Sequence, residues 1–367
     1  MPPGTTGLDY GHRTMRLCAA MLIASACGKE QGGAVRRTVQ DSAVRASPAP
    51  DGAGPTRRVF GDTSAALWKT QWSLDGNAPQ SGLLYPIAVA ATPSGVYVLD
   101  AASGRVTRYK AANGERAWVY PDSASEQRLQ DAAAMTIDAN DNVSILERKP
   151  GRVVVVTREG SLLRQITLPR EMEASSFCVR ADKSLLLATS ANDAPLVTVD
   201  PHESVLQRTT LPWSTIAGQA RIVRQFRLTG SRTDDHCALT LNLGMGFVDA
   251  NNATSARTRD YVESFALPPA RVTLDSTRGR IHRVEEILDH RSATHTGTID
   301  AGSLLLAFEG KTPLRGRLID IYAWPSGSYQ RSLVFPSRIV GLSRIGDLYF
   351  ILTERNGAPA LIAARHP

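Results

Sequence analysis

This sequence predicts an all-β fold, a six-bladed β-propeller closed by pairing an N-terminal strand with the C-terminal blade. Three observations predict it. A unit that reads strand, turn, strand, turn, strand, turn, strand recurs at a period of about 45 residues, the signature of a propeller array. Two copies, 86–120 (PIAVAATPSGVYVLDAASGRVTRYKAANGERAWVY) and 133–169 (AAMTIDANDNVSILERKPGRVVVVTREGSLLRQITLP), align almost turn for turn. The last copy is one strand short while the N-terminal side has one strand too many, so joining them leaves only short outer edges.

In chain order, the strand signals begin with the alternating segment Leu67–Leu74, ended by Asp75-Gly76. Blade one spans 86–120, blade two 133–169 and blade three 175–213. The third has polar turns at Ala181-Asp182-Lys183 and His202-Glu203-Ser204. Blade four, 220–268, is irregular: Arg224–Gly230 is its inner strand, Cys237–Val248 the next, and Arg259–Leu267 the outer strands after a polar loop at Asn251–Ser255. The charged stretch within 269–292, Arg280–Glu286, reads either as a strand of blade four or as an excursion on one face. Blade five is 293–336, with central strands Ser303–Glu309 and Arg317–Tyr322. Blade six, 337–367, offers only three strands: Ile339–Arg344, Asp347–Thr353 and Ala360–Arg365.

The chain has 367 residues, 42% of them hydrophobic, which is enough for one large propeller domain over 66–367. Its formal charge of +7 comes from arginines scattered singly along strands and turns. No basic run or helix forms, so nucleic acid is not an expected partner. Residues 28–65 lack periodicity and are rich in Gly, Pro, Ala, Ser and Arg, as a flexible tether is. Such a coil reaches about 35 Å.

Residues 1–27 hold an export signal: Arg16, a short apolar core over Leu17–Ala24, small residues, then Cys27. The stretch Ala24-Ser25-Ala26-Cys27 resembles the lipobox of bacterial lipoproteins, with Ala24 where leucine is usual. The resemblance implies acylation of Cys27 and a lipid-anchored, periplasm-facing protein; the alternatives are ordinary secretion with cleavage near Ala26 and a cytosolic protein whose apolar N-terminus is no signal. The polar stretch Met1–Thr14 is unlike a signal start, which leaves initiation at Met1 or Met15 open. Beyond the N-terminus no apolar stretch reaches the roughly 18 residues that span a bilayer.

Cys18 and Cys27 belong to the signal, and Cys178 and Cys237 remain. In an oxidising periplasm they form a disulfide, or they stay as buried free thiols. Their apolar surroundings, Ser176–Val179 and His236–Leu239, favour the thiols.

An acid follows the second strand in most blades: Asp100, Glu147, Glu309 and Glu354. Two precede a Gly-Arg turn at identical spacing, Asp100 before Gly104-Arg105 and Glu147 before Gly151-Arg152, so each acid is placed to meet its arginine across the hairpin. Repetition in every blade is what a fold requirement predicts, so these four are expected to be structural, at one end of the ring.

The motifs Pro86–Val89, Val96–Asp100 and Gly104–Tyr109 resemble NHL-repeat and related six-bladed propeller families, including exported bacterial members. The resemblance covers about 66–367 and implies the fold far more than any activity. Some such relatives are lactonases or lyases that hold a divalent metal, such as calcium, in the central channel. Those sites need Glu, Asp, Asn or His ligands converging from several blades. The best local candidate is Asp234-Asp235-His236, which adjoins a turn and is expected to cap it; His282, His290 and His295 are scattered. No Gly-x-Ser-x-Gly elbow, phosphate loop or His-Glu-x-x-His motif occurs. Trp118, Tyr120, Trp213, Tyr261, Trp324 and Tyr329 lie near blade ends or outer strands, where packing between blades explains them better than ligand stacking.

The expected function is therefore a ligand- or protein-binding scaffold module, monomeric, without a cofactor, whose partner is an envelope protein or small ligand. A metal-dependent lactonase or lyase is the alternative.

Overall fold

The computed structural model describes residues 62–78, 81–122, 128–169, 172–189, 195–209, 226–232, 235–241, 246–250, 257–258, 270–277, 280–287, 294–308 and 314–367. A 3-10 helix, Asp62–Leu67, leads into β1 (Lys69–Asp75). Sheet I is β2 (Pro86–Thr92), β3 (Gly95–Asp100), β4 (Arg105–Tyr109) and β5 (Arg116–Tyr120). Sheet II is β6 (Ala132–Ile137), β7 (Val143–Glu147), β8 (Arg152–Val156) and β9 (Leu162–Thr167). Sheet III is β10 (Ala174–Val179), β11 (Leu185–Thr189), β12 (Leu196–Val199) and β13 (Val205–Thr209). Sheet IV is β14 (Phe226–Gly230), β15 (Cys237–Leu241), β16 (Gly246–Asp249) and β17 (Arg257–Thr258). A hairpin, β18 (Ala270–Thr277) and β19 (Arg280–Ile287), follows. Sheet V is β20 (Thr294–Asp300), β21 (Ser303–Phe308), β22 (Leu318–Ala323) and β23 (Tyr329–Val334). Sheet VI holds β24 (Ile339–Ile345), β25 (Leu348–Arg355) and β26 (Ala358–Arg365).

All these sheets are antiparallel, and each runs outward in chain order. In sheet VI the fourth, outermost position is taken by β1, which pairs with β26 from Lys69↔Arg365 to Asp75↔Ala360. The innermost strands β2, β6, β10, β14, β20 and β24 neighbour one another in that order, and β24 lies beside β2. The fold is a β-propeller.

The apolar runs in the sequence explain the middle strands. Every residue of β3, β7, β11 and β12 is buried, because each sheet is covered on both faces by its neighbours. Burying each Val or Leu contributes about 1.5–3 kcal/mol. Outer strands such as β9 and β13 are mostly exposed and mix polar residues with exposed Leu162, Leu163 and Leu206. Inner strands converge on the axis and need small residues. A Cβ on Gly341 would stand 3.1 Å from Val89 Cγ1 of sheet I, and one on Gly297 would stand 2.8 Å from Leu306 Cδ2. Five of the inner strands carry a register shift at the same place, between Pro86/Ala88, Ala132/Ala134, Ala174/Ser176, Thr294/Thr296 and Ile339/Gly341. An extra residue there bends each strand as it starts.

Several expectations change. The folded body begins within the stretch read as tether: Ser64 Oγ accepts the Val334 N–H at 3.1 Å, and Ala65 packs on Phe308, Leu318 and Val334. The apolar body of that short helix has a core to cover, which composition alone did not reveal. Cys178 and Cys237 form a disulfide, with Cα atoms 6.4 Å apart, joining sheet III to sheet IV. Their apolar strands face each other across that contact, so burial and bonding go together. Among the described residues, Ala270–Thr277 and Arg280–Ile287 pair only with each other, as an excursion separate from sheet IV. In sheet IV the described residues of the first two strands are Phe226–Gly230 and Cys237–Leu241, and residues 224–225, 242–245 and 259–267 of the strands read there lie outside the described residues. Residues 1–61, with Cys27 and the signal, lie outside the described residues, as do Trp213, Tyr261, His290, Asp234 and Glu309. Among the described residues no helix is long and apolar enough to cross a membrane.

Candidate functional site: the central channel

Six inner strands around one axis leave a channel between them. It forms a cavity of about 120 Å³ lined by residues of β2, β6, β10, β14, β20 and β24. One end carries the turns that join the first and second strand of each sheet, and we call it the hairpin end.

Polar contacts between adjacent sheets knit the hairpin end together. Ser94 Oγ donates to Asp141 Oδ2 at 2.5 Å, linking sheets I and II. Lys183 Nζ stands 3.1 Å from Asp138 Oδ2, linking II and III. The Asp235 carboxylate accepts the Ala181 N–H, linking III and IV. Arg344 Nε lies 3.2 Å from Asp300 Oδ2, which also accepts the Gly346 N–H at 3.1 Å, linking V and VI. Desolvation pulls the Asp138 pKa upward, but hydrogen bonds from Asn142, Lys183 and Asn140 outweigh it and hold that carboxyl below its ordinary value. The rim is thus preorganised by charge-assisted bonds.

Four charged side chains line the cavity: Arg227, Arg232, Asp300 and Arg344. Asp300 is committed to Arg344, both nearly buried. Arg227, the second residue of β14, sits deep enough that desolvation lowers its pKa, while part of its side chain remains open to the channel. Arg232 lies in the turn after β14. Neither guanidinium has an ion-pair partner among the described residues. Isolated arginines on strands are common in this chain, so the sequence alone did not single these out; the available signal was a charge inside the otherwise small and apolar inner strand Phe226–Gly230.

Of the acids expected at blade ends, the three among the described residues, Asp100, Glu147 and Glu354, do not share one environment. Asp100 is buried and accepts the N–H groups of Leu84 and Tyr85, each at 2.7 Å, and that of Ser103 at 2.8 Å. It faces Arg105 in register yet makes no ion pair with it. Glu147 is fully buried, accepts the Gln130 N–H and pairs with Arg152 Nε at 2.5 Å, as the hairpin spacing suggested. Glu354 is exposed. The register places Thr353, not Glu354, opposite the first residue of its inner strand, where Asp100 and Glu147 stand in theirs. Thr353 Oγ1 donates to Arg338 O at 2.6 Å, fastening the segment that enters sheet VI. The shared task at this position is to tie down the entering chain.

Asp235 and His236 are engaged in structure. His236 Nδ1 stands 3.0 Å from Asp249 Oδ2 of the same sheet. Among the described residues no three His, Cys, Asp or Glu side chains come together as metal ligands. His282 and His295 fall in β19 and β20. The aromatic residues bridge sheets: Trp118 donates its indole N–H to Arg158 O at 2.8 Å and meets Tyr97 edge-on, and Trp324 is buried beside Ala238. Tyr329 meets Tyr322 edge-on within sheet V, and Tyr120 is half-buried in the core between sheets I and II. A wider depression over Arg105, Arg116, Trp118 and Asp122 opens on the outer strand β5, away from the axis. It is shallow and supported from one sheet alone, so the channel is the better-built site.

A family model described as outer membrane protein assembly factor BamB matches residues 61–214, which hold β1 and sheets I to III. No curated protein matches this chain. Among solved structures, a streptogramin B lyase is 9% identical, with a TM-score of 0.50, over 82% of this chain and 99% of that one. A Bacteroides fragilis protein thought to be exported is also 9% identical, with a TM-score of 0.50, over 85% of this chain and 99% of that one. At this identity the likeness is one of fold.

Proposed function

We propose that this chain is an extracytoplasmic, lipid-anchored binding module, a six-bladed ring closed by β1 that engages an envelope protein or small ligand at the hairpin end of its channel. The observation that carries this reading is the channel itself: six inner strands contribute to one cavity under a rim held rigid by contacts between sheets. Preorganised rims of this kind suit recognition, because little ordering is left to be done on binding. Similarity over 61–214 to an envelope assembly factor, and a fold shared with a protein thought to be exported, support the compartment. Cys27 is the anchor in this reading, and the residues before the 3-10 helix are its tether.

Affinity capture from envelope extract tests the binding role. A partner retained by the wild type and lost when the hairpin-end turns are substituted supports it; equal capture by both contradicts it. Labelling with a fatty-acid analogue should mark the wild type and leave Cys27→Ala unmarked. Elemental analysis addresses the competing class, since a stoichiometric divalent metal in the purified protein would favour a lactonase or lyase.

A further inference from the structure

We propose that the channel holds a small oxyanion, a carboxylate or phosphate group, against Arg227, with Arg232 at the hairpin-end mouth drawing it inward. This rests on the reading of the channel as the binding site and names what it binds.

The charge balance of the lining comes first. Three arginines line the cavity against a single acid, Asp300, and Arg344 and the Gly346 N–H already take that carboxylate up. Arg227 and Arg232 are left without a counterion among the described residues. An arginine does not shed its proton in a protein, so it cannot neutralise itself as a buried lysine does. A desolvated charge without a partner is costly, and the fold keeps one on an inner strand between the buried residues Phe226 and Leu228. An external anion removes that cost.

Geometry selects the ligand. A planar guanidinium presents paired N–H donors that match two oxygens of a carboxylate or phosphate. Thr136, Thr298 and Ser343 are among the residues lining the same cavity, and their hydroxyls are neutral donors. The volume of about 120 Å³ admits an anion of a few heavy atoms and excludes a nucleotide or an oligosaccharide. Arg227 is the second residue of β14 and Arg232 lies five residues on, in the turn after that strand, so one sits within the ring and the other toward its hairpin end. That spacing assigns anchoring to Arg227 and electrostatic attraction to Arg232.

Calorimetric titration of the full chain with inorganic phosphate and with succinate, against choline as a cationic control, tests this. The wild type should bind at least one of the two anions and not choline. Arg227→Gln should weaken anion binding at least tenfold. Arg232→Gln should weaken it less and flatten its salt dependence. Arg227→Gln should melt no lower than the wild type in anion-free buffer, because it relieves an unpaired charge, so lost binding in a folded variant is readable. Binding of neither anion by the wild type, or unchanged binding by Arg227→Gln, overturns the proposal. Envelope capture scored in parallel separates the two readings. A partner retained without any anion binding sinks the oxyanion site alone; anion binding that depends on Arg227, without a captured partner, supports the site and counts against the protein-binding role.

Discussion

The indole of Trp72 covers Gly114 so closely that a Cβ on the glycine would stand 2.8 Å from ring atom Cε3. Trp72 lies on β1 and Gly114 in the β4–β5 turn, and the indole N–H donates to Ala111 O in that turn at 2.8 Å. The arrangement recurs one sheet further on. Trp118 of β5 covers Gly160 in the β8–β9 turn, with a Cβ there 3.0 Å from ring atom Cδ2, and donates to Arg158 O. Thus β1, from the far end of the chain, makes the same junction between sheets as β5 does. Gly114→Ala and Gly160→Ala should each lower stability by about 1–3 kcal/mol, since the positive φ and the overlying ring both resist a side chain. Gly346→Ala, where φ is also positive but nothing lies within 4 Å, should cost less. Thermal melts of the three variants check the order.

Trp72→Ala should destabilise the whole domain by about 3 kcal/mol, the low end for a buried tryptophan because this one is half-buried. Deleting residues 69–75 should do more, by uncovering the edge of β26. An unchanged melting temperature after the deletion would count against β1 as a structural member of sheet VI.

The recurring unit was legible because a strand buried on both faces must be largely apolar, and Val96–Leu99, Val143–Leu146 (with Ser144 its one polar member) and Leu185–Ala188 are. Details of side-chain role were less so. Glu354 follows its second strand as Asp100 does, yet register moves the stapling task to Thr353. Cys178 and Cys237 are 59 residues apart, and nothing in such a separation distinguishes a disulfide from two packed thiols. Arg227 reads as one more scattered arginine until the ring brings five other strands around it.

The Cys178–Cys237 bond closes a loop long enough that chain entropy alone ascribes about 4 kcal/mol to it, as an upper value. Both sulfurs are buried, so alkylation under native conditions should leave them unmodified before reduction, and Cys178→Ser should melt lower. Free thiols located at Cys178 and Cys237 by mass spectrometry of the unreduced, denatured protein would contradict the assignment.

Burial pushes the Tyr109 phenol up to about 12, and its hydroxyl donates to Ser81 O within the core. The folded state therefore holds this proton more tightly than the unfolded chain, whose tyrosine titrates near 10. The contribution, about 3 kcal/mol, is fully present below pH 10 and disappears as pH rises through 12. Tyr109→Phe should flatten that part of the stability curve, which denaturant titration at stepped pH measures.

Glu147→Ala should cost about 2 kcal/mol, because it strands the Gln130 N–H and leaves partly buried Arg152 without its carboxylate. Glu354→Ala, at an exposed site, should change stability by less than about 0.5 kcal/mol. Equal losses would mean that the two acids share a role after all.

The most direct test of the binding-module account is hydrogen exchange on the full chain with and without a partner captured from envelope extract. Protection confined to the hairpin-end turns around 138–142, 180–184 and 231–236 is the predicted result. Protection on the outer strands β5, β9 and β13, with the hairpin end unchanged, would contradict it.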